Sequence, residues 1–192
     1  MRRLFASLAL LVLAGCASVP PSPPPVRPAQ AQAASFALTG RIAVRYDGKR
    51  SSAGVHWSHQ AASDEILLLA PLGQTVARVR RMAPLPDVQQ FTLDAEGKHY
   101  AAGDAETLTE QALGWRLPLS GLQYWVLALP VPGEAFSSER DSNGQLSLLR
   151  QDGWTIRYTR YAASTPDSLP LRMALQREGL QIRLLIDEWQ IK

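Results

Sequence analysis

The residues able to do chemistry in this 192-residue chain are few and poorly spaced for catalysis. His56 and His59 flank Trp57. On a strand, positions three apart point to opposite faces, which argues against a shared metal ion. His99 falls in a predicted hairpin and reads as solvated. Asp104 with Glu106, and Asp187 with Glu188, are the residue types of paired-carboxylate acid–base work. A helix cap and a solvated strand end explain them better. Gly48-Lys49 lacks the upstream glycine of a phosphate loop, and neither a G-x-S-x-G elbow nor a dinucleotide fingerprint occurs. The sequence therefore points to no catalytic residue, no metal and no cofactor.

The side chain with the clearest chemical prospect is the single cysteine, Cys16. Arg2 and Arg3 precede an apolar run, Leu4 to Ala14, which is too short to span a bilayer comfortably. The run ends in Leu13-Ala14-Gly15-Cys16, small residues followed by a thiol. This resembles the lipobox of bacterial lipoproteins, in which the peptide is cut before the cysteine, its thiol receives diacylglycerol and its amine a third acyl chain. An ordinary secretory peptide with a chance cysteine is the alternative. Ala17 lacks the aspartate that signals inner-membrane retention in such proteins, and so permits outer-membrane sorting. At about 0.8 kcal/mol per buried methylene, three chains with roughly 45 methylenes amount to about 35 kcal/mol gross, an effectively irreversible anchor.

Composition sets the frame for the rest. With 46% hydrophobic and 19% charged residues, the chain is globular and long enough for one sizeable core. Net charge is +3; without Arg2 and Arg3, 18 basic residues stand against 17 acidic, a net of +1, so charge gives no ground for nucleic-acid binding. One cysteine leaves no internal disulfide, so the core alone must hold the fold. The expected organisation is a signal peptide over 1–15, a lipidated cysteine and tether over 16–35, and a folded domain over 36–192. Residues 17–35 hold six of the fourteen prolines and no apolar periodicity. Such a segment reads as extended, and nineteen residues at roughly 3.1 Å each could reach about 60 Å.

From Phe36 the pattern has period two. Phe36, Leu38, Gly40, Ile42, Val44 and Tyr46 share one face; Arg41 and Arg45 take the other. Further strands are expected over Ser52–Ser58, Glu65–Ala70, Thr75–Arg81, Val88–Asp94 and Lys98–Ala101, with turns at Asp47-Gly48, Pro71-Leu72-Gly73-Gln74 and Glu96-Gly97. Asp104 can cap a helix through Leu113. Ser120 and Gln123 have capping-box spacing ahead of a second helix, which Pro130 and Pro132 end. Four more strands, Gln145–Gln151, Trp154–Tyr161, Leu171–Arg177 and Leu180–Ile191, flank Asp152-Gly153 and Glu178-Gly179. Six strands, two helices and four strands predict a mainly β (α+β) domain, a strongly curved antiparallel sheet whose mouth or face the helices cover.

Several phrases, in order, resemble the outer-membrane lipoprotein receptor LolB family: Leu38-Thr39-Gly40-Arg41-Ile42-Ala43-Val44, Val55-His56-Trp57, Leu68 to Gln74, Gly103 to Glu106, Leu117-Pro118-Leu119 with Tyr124-Trp125, Leu129-Pro130, Gly153 to Ile156 with Tyr158 and Tyr161, Leu169-Pro170, and Ile186 to Trp189. The family usually has glycine where Ala128 stands, a difference that touches the packing of the second helix. The resemblance implies an incomplete antiparallel β-barrel of about 10–11 strands with a helical lid over an apolar cavity. It implies a monomeric receptor, lipid-anchored on the periplasmic face of the outer membrane. Such a receptor takes acylated lipoproteins from the soluble periplasmic carrier LolA and inserts them into that membrane.

A nucleotide-free transfer must run downhill: the cavity holds acyl chains more strongly than the carrier and more weakly than the bilayer. Candidate lining residues are Trp57, Leu68, Phe91, Leu93, Leu122, Trp125, Trp154, Ile156, Tyr158, Ile182 and Leu184; ordinary core packing is the alternative for each. Leu72, between Pro71 and Gly73, is an apolar residue where a turn favours polar ones. In the family the matching leucine protrudes and engages the membrane during insertion; a leucine folded back on the core is the alternative. Arg41, Arg45, Arg78 and Arg80 read as solvated strand faces or as contacts for an acidic partner. A lipid shuttle of the same fold, a structural lipoprotein of an envelope complex and a hydrolase are the rival functions.

Overall fold

A computed structural model of the chain describes residues 23–28, 35–85 and 88–191. The expected signal peptide, Cys16 and most of the tether lie outside the described residues. The elements run β1 (Phe36–Tyr46), β2 (Lys49–Gln60), β3 (Ser63–Leu69), β4 (Thr75–Leu85), β5 (Val88–Ala95), β6 (Lys98–Ala102), α1 (Ala105–Leu113), α2 (Leu119–Trp125), β7 (Phe136–Arg140), β8 (Leu146–Gln151), β9 (Trp154–Tyr161), β10 (Pro170–Arg177) and β11 (Leu180–Ile191).

All eleven strands form one antiparallel sheet in the order β6-β5-β4-β3-β2-β1-β11-β10-β9-β8-β7. Chain neighbours pair throughout each half, and β1 joins the halves by pairing with β11. The strands β6 and β7 remain edges, so the barrel is incomplete. Strand β7 was missed by sequence reading. Its five residues are all exposed, so it carries no alternation, and its serines and charges suit an edge that must not recruit another strand.

Four turns, Asp47-Gly48, Glu96-Gly97, Asp152-Gly153 and Glu178-Gly179, have positive φ at both residues. That is the geometry whose twist matches a hairpin. With the β3–β4 loop they mark one rim of the sheet. The opposite end, the base, holds the β2–β3 and β9–β10 connections. The β1–β11 register shifts at Thr39/Gly40, and a Cβ on Gly40 would lie 2.1 Å from the carbonyl oxygen of Leu185, so only glycine allows this approach.

Period-two alternation builds the core. Leu38, Ile42 and Val44, with Trp57, Ile66, Val79, Leu93, Ile182 and Leu184, point to the concave face. The two helices lie on that side. Asp104 caps α1, its carboxylate accepting from the amide of Thr107 at 2.7 Å, as expected. The second helix departs from expectation. It starts after Pro118 without a side-chain cap, and the Ser120 hydroxyl donates to Glu106 across the helix pair (2.9 Å). It stops at Trp125 rather than near Leu129, because Ala128 takes a left-handed φ of 54° that ends the turn before Pro130. The position noted as glycine in the family is thus a helix terminator, and its effect is on backbone conformation before packing.

Part of the tether is not free. Val26 forms a β-bridge with Ser168, and the amide of Arg27 donates to Asp167 at 2.7 Å. The Arg27 Nε donates to the carbonyl of Leu127, also at 2.7 Å. Residues Pro25–Arg27 therefore lie against the base, and Arg27 touches the backbone just before the left-handed turn that ends the lid.

Candidate functional site

Between the concave face and the lid lies a hollow with a wholly apolar lining. The sheet supplies Leu38, Ile42, Val55, Trp57, Ile66, Leu68, Val79, Leu175, Ile182 and Leu184; the helical segment supplies Leu113, Trp115, Leu117 and Leu122. The free volume is only about 20 Å³, room for one water-sized sphere. A hydrocarbon chain does not fit between lid and sheet as they are packed here.

Of the residues picked from sequence, Trp57, Leu68, Leu122, Ile182 and Leu184 line the hollow. Phe91, Leu93, Ile156 and Tyr158 are buried in the core but do not line it. Trp125 and Trp154 pack on each other with ring centroids 6.0 Å apart and border a different recess. That recess is larger, about 460 Å³, but it is open and polar. Five carboxylates, from Glu106, Glu110, Glu134, Asp152 and Glu178, lie on its walls. The smaller space is the better hydrocarbon site, because every residue around it is apolar. Sequence reading overlooked Trp115, which borders both spaces and forms the partition between them. Its place in a short inter-helix segment gave no periodic signal.

The two ends of the lid are held unequally by hydrogen bonds, although α1 also packs on β5 and β6 with Ala105 and Leu108 buried. At the α2 end, the Gln151 side chain accepts from Trp125 Nε1 (3.1 Å) and the Val131 amide (2.8 Å) and donates to the Val131 carbonyl (3.0 Å). The Tyr158 hydroxyl donates to the Trp125 carbonyl at 2.8 Å, and burial raises its pKa well above the ordinary tyrosine value, so it stays a donor. Between α1 and α2, the buried link is Thr109, whose hydroxyl accepts from the Leu117 amide at 2.8 Å. The remaining ties there, Arg116 to Glu110 and Ser120 to Glu106, are exposed.

The hollow ends toward the base in a row of register partners, Arg81–Asp64–His59–Phe36, crossing four strands. Asp64 is 3% exposed. Its Oδ1 accepts from Trp57 Nε1 at 2.7 Å and lies 2.7 Å from His59 Nδ1, and its Oδ2 accepts from Arg81 Nε. Burial pushes its carboxyl up, but the His59 hydrogen bond and the charges of His59 and Arg81 outweigh that and hold the pKa below the usual value. This row fixes the rotamer of Trp57, a lining residue. Sequence reading missed it, although alternation through Ile66 and Val79 already placed Asp64 and Arg81 inward. His56 and His59 do point to opposite faces, and among the described residues no group of three or more potential ligands could hold a metal ion.

Leu72 sits on the rim and is 86% exposed, with Pro71 and Gly73 exposed beside it. The turn closes through Gly73 N–H to Ala70 (2.8 Å) and Ala70 N–H to Gln74 (2.8 Å), with Gly73 at φ 86°. The leucine is not folded back on the core. His99 is exposed as expected, and its Nδ1 lies 2.6 Å from Asp94. Asp187 pairs with Arg41 at 3.1 Å, and Arg78 and Arg80 approach Glu65 and Asp94, leaving Arg45 as the member of the arginine set without a carboxylate partner among the described residues.

The family model described as outer membrane lipoprotein LolB matches residues 34–189, the lid and all of the sheet but the last two residues of β11. The chain belongs to the LolB family. It is 41% identical over 189 residues to an outer-membrane lipoprotein LolB of Chromobacterium violaceum, covering 98% of each chain. To that of Thiobacillus denitrificans it is 39% identical over 193 residues, covering 99% of this chain and 98% of the relative. Among solved structures it resembles a DUF1329 family protein from Desulfovibrio piger with a TM-score of 0.50 at 10% identity, over 82% of this chain and 85% of that one. That likeness concerns the fold alone.

Proposed function

We propose that this LolB-family protein is an outer-membrane lipoprotein receptor. It accepts acylated lipoproteins from a soluble periplasmic carrier of the LolA type, shelters their chains between sheet and lid, and releases them into the outer membrane. It is anchored there as a monomer through Cys16, with residues 1–15 removed and 36–192 as the binding domain. The observation that carries the reading is the wholly apolar hollow beneath a lid of unequally held ends.

The energetics suit a hand-over. Opening the lid exposes Leu113, Trp115, Leu117 and Leu122, at a cost of roughly 1.5–3 kcal/mol each if left wet. An entering acyl chain re-covers them and gains about 0.8 kcal/mol per methylene of its own. The chain gains the same in a bilayer with no lid to displace, so the bilayer wins and the lid recloses. The Gly114–Pro118 segment, tied apart from Thr109 by exposed contacts, is the part that swings, while α1 stays packed on β5 and β6 and Gln151, Tyr158 and Arg27 hold the α2 end as the hinge. Leu72 enters the bilayer surface as the chains leave.

Leu68 is half-buried at the lining, so glutamate there can be tolerated by the fold while placing a charge in the acyl path. Uptake of a triacylated lipoprotein from loaded carrier by Leu68→Glu should fall on the order of ten-fold or more. Unchanged uptake by a variant with a normal melting curve would remove the hollow from the mechanism.

A further inference from the structure

We infer that the outer face of the β1–β2 hairpin is a binding surface for the phosphate groups of anionic phospholipids, which orients the rim on the bilayer. The inference rests on the reading that the Leu72 rim faces the membrane. Arg45 and Arg50 are direct cross-strand partners on the exposed face, and Arg183 on β11 sits opposite Ala43, one diagonal step from Arg45. Lys49, the first residue of β2, lies opposite Tyr46 at the same end. Like charges directly opposite each other on a sheet destabilise it. Here the fold supplies no remedy: among the described residues none of these four cations has a carboxylate partner. Between Arg41 and Asp64 the sequence contains one acidic residue, Asp47, in the turn itself. The arginines border a surface groove of about 370 Å³ whose other walls are small or neutral, including Ser51, Ser52 and Gln181. An unrelieved cationic pair beside an open groove with hydroxyls is suited to an external phosphate.

Position selects a membrane rather than an acidic protein as its source. The hairpin tip stands on the same rim as Leu72 (86% exposed), Val76 (46%) and Tyr46 (41%). Apolar tips interspersed with cations suit a headgroup layer, where the first enter the acyl boundary and the second meet phosphates. Two-point contact, through the β3–β4 loop and the β1–β2 hairpin, fixes the tilt of the domain, which a single leucine cannot.

The test uses the mature chain from residue 16 onward carrying Cys16→Ala, so that neither the signal peptide nor an acyl anchor masks the surface. Its sedimentation is measured with vesicles of phosphatidylcholine alone and of phosphatidylcholine containing one third phosphatidylglycerol, at low and high salt. Each cation near an anionic leaflet contributes roughly a five-fold gain in partitioning, so the parent should prefer anionic vesicles by about ten-fold or more at low salt and lose that preference at high salt. Arg45→Gln with Arg50→Gln and Arg183→Gln should abolish the preference while uptake from loaded carrier stays normal; Leu72→Glu should lower binding to both vesicle types. A triple variant that still prefers anionic vesicles overturns the inference, as does one that loses uptake from the carrier while keeping vesicle binding, which identifies an acidic protein partner instead. Should the triple variant fold poorly, a parent with no composition or salt dependence overturns it equally. If Leu72→Glu inserts normally while the triple variant loses the preference, the phosphate surface stands and the membrane role of Leu72 falls.

Discussion

At the scale of single residues, two side chains separate what the fold requires from what the function requires. Leu72 makes almost no contact with the rest of the protein, so its exposure has no structural use. Burying one leucine is worth roughly 1.5–3 kcal/mol, enough to bias docking and too little to anchor. Leu72→Glu should leave stability within about 0.5 kcal/mol. Carrier-dependent uptake should be normal, and transfer into liposomes should fall sharply; full transfer would exclude Leu72 from insertion. Asp64 is the opposite case, buried among Trp57, His59 and Arg81. Breaking a buried ion pair from one side costs roughly 3–5 kcal/mol, and Asp64→Asn should lose stability on that scale in denaturant titration. Because the folded carboxyl titrates below its unfolded value of about 4, the unfolded chain takes up protons first as pH falls. The Asp64 contribution is complete above that value and disappears as pH drops through the lowered folded pKa. Acid unfolding should therefore be steeper for the parent than for Asp64→Asn; equal slopes would mean that Asp64 does not report on folding.

At the scale of elements, the strands were legible wherever one face meets the core and the other water. Phe36–Tyr46 and Leu180–Ile191 follow their alternation closely. The signal failed where burial does not alternate: β7 is exposed on both faces, and the segment after Trp125 is apolar all round, so it looked like a longer helix. Ala128 shows the physical reason. A left-handed alanine costs roughly 1–2 kcal/mol, set against the burial of one methyl. Ala128→Gly should relieve that strain and stabilise the protein by about 0.5–1 kcal/mol net in denaturant titration. A loss of stability would show that the methyl contact outweighs the backbone term. The turn also carries the lid's hinge, since Arg27 reaches Leu127 beside it, a link between tether and lid that proline-rich composition concealed.

At the scale of the whole molecule, the open sheet and the lid form two halves of one apolar surface, packed on each other with about 20 Å³ left between them. Sequence could name apolar residues but not which neighbours face one another across the barrel, because facing depends on register and curvature. That is why Trp57, Leu68 and Ile182 were placed with the site while Phe91, Leu93 and Ile156, equally apolar, lie in solid core. The central claim is that acyl chains occupy the space between these halves, and photo-crosslinking tests it most directly. A photoreactive phenylalanine analogue replaces Leu68 or Leu117 within the lining, or Arg157 or Arg183 on the outer face, and each variant is loaded with a triacylated lipoprotein delivered by the carrier. Adducts to the acyl chains should form from Leu68 and Leu117 and be at background from Arg157 and Arg183. Equal yields at all four positions, or adducts confined to the outer two, would contradict an acyl site beneath the lid.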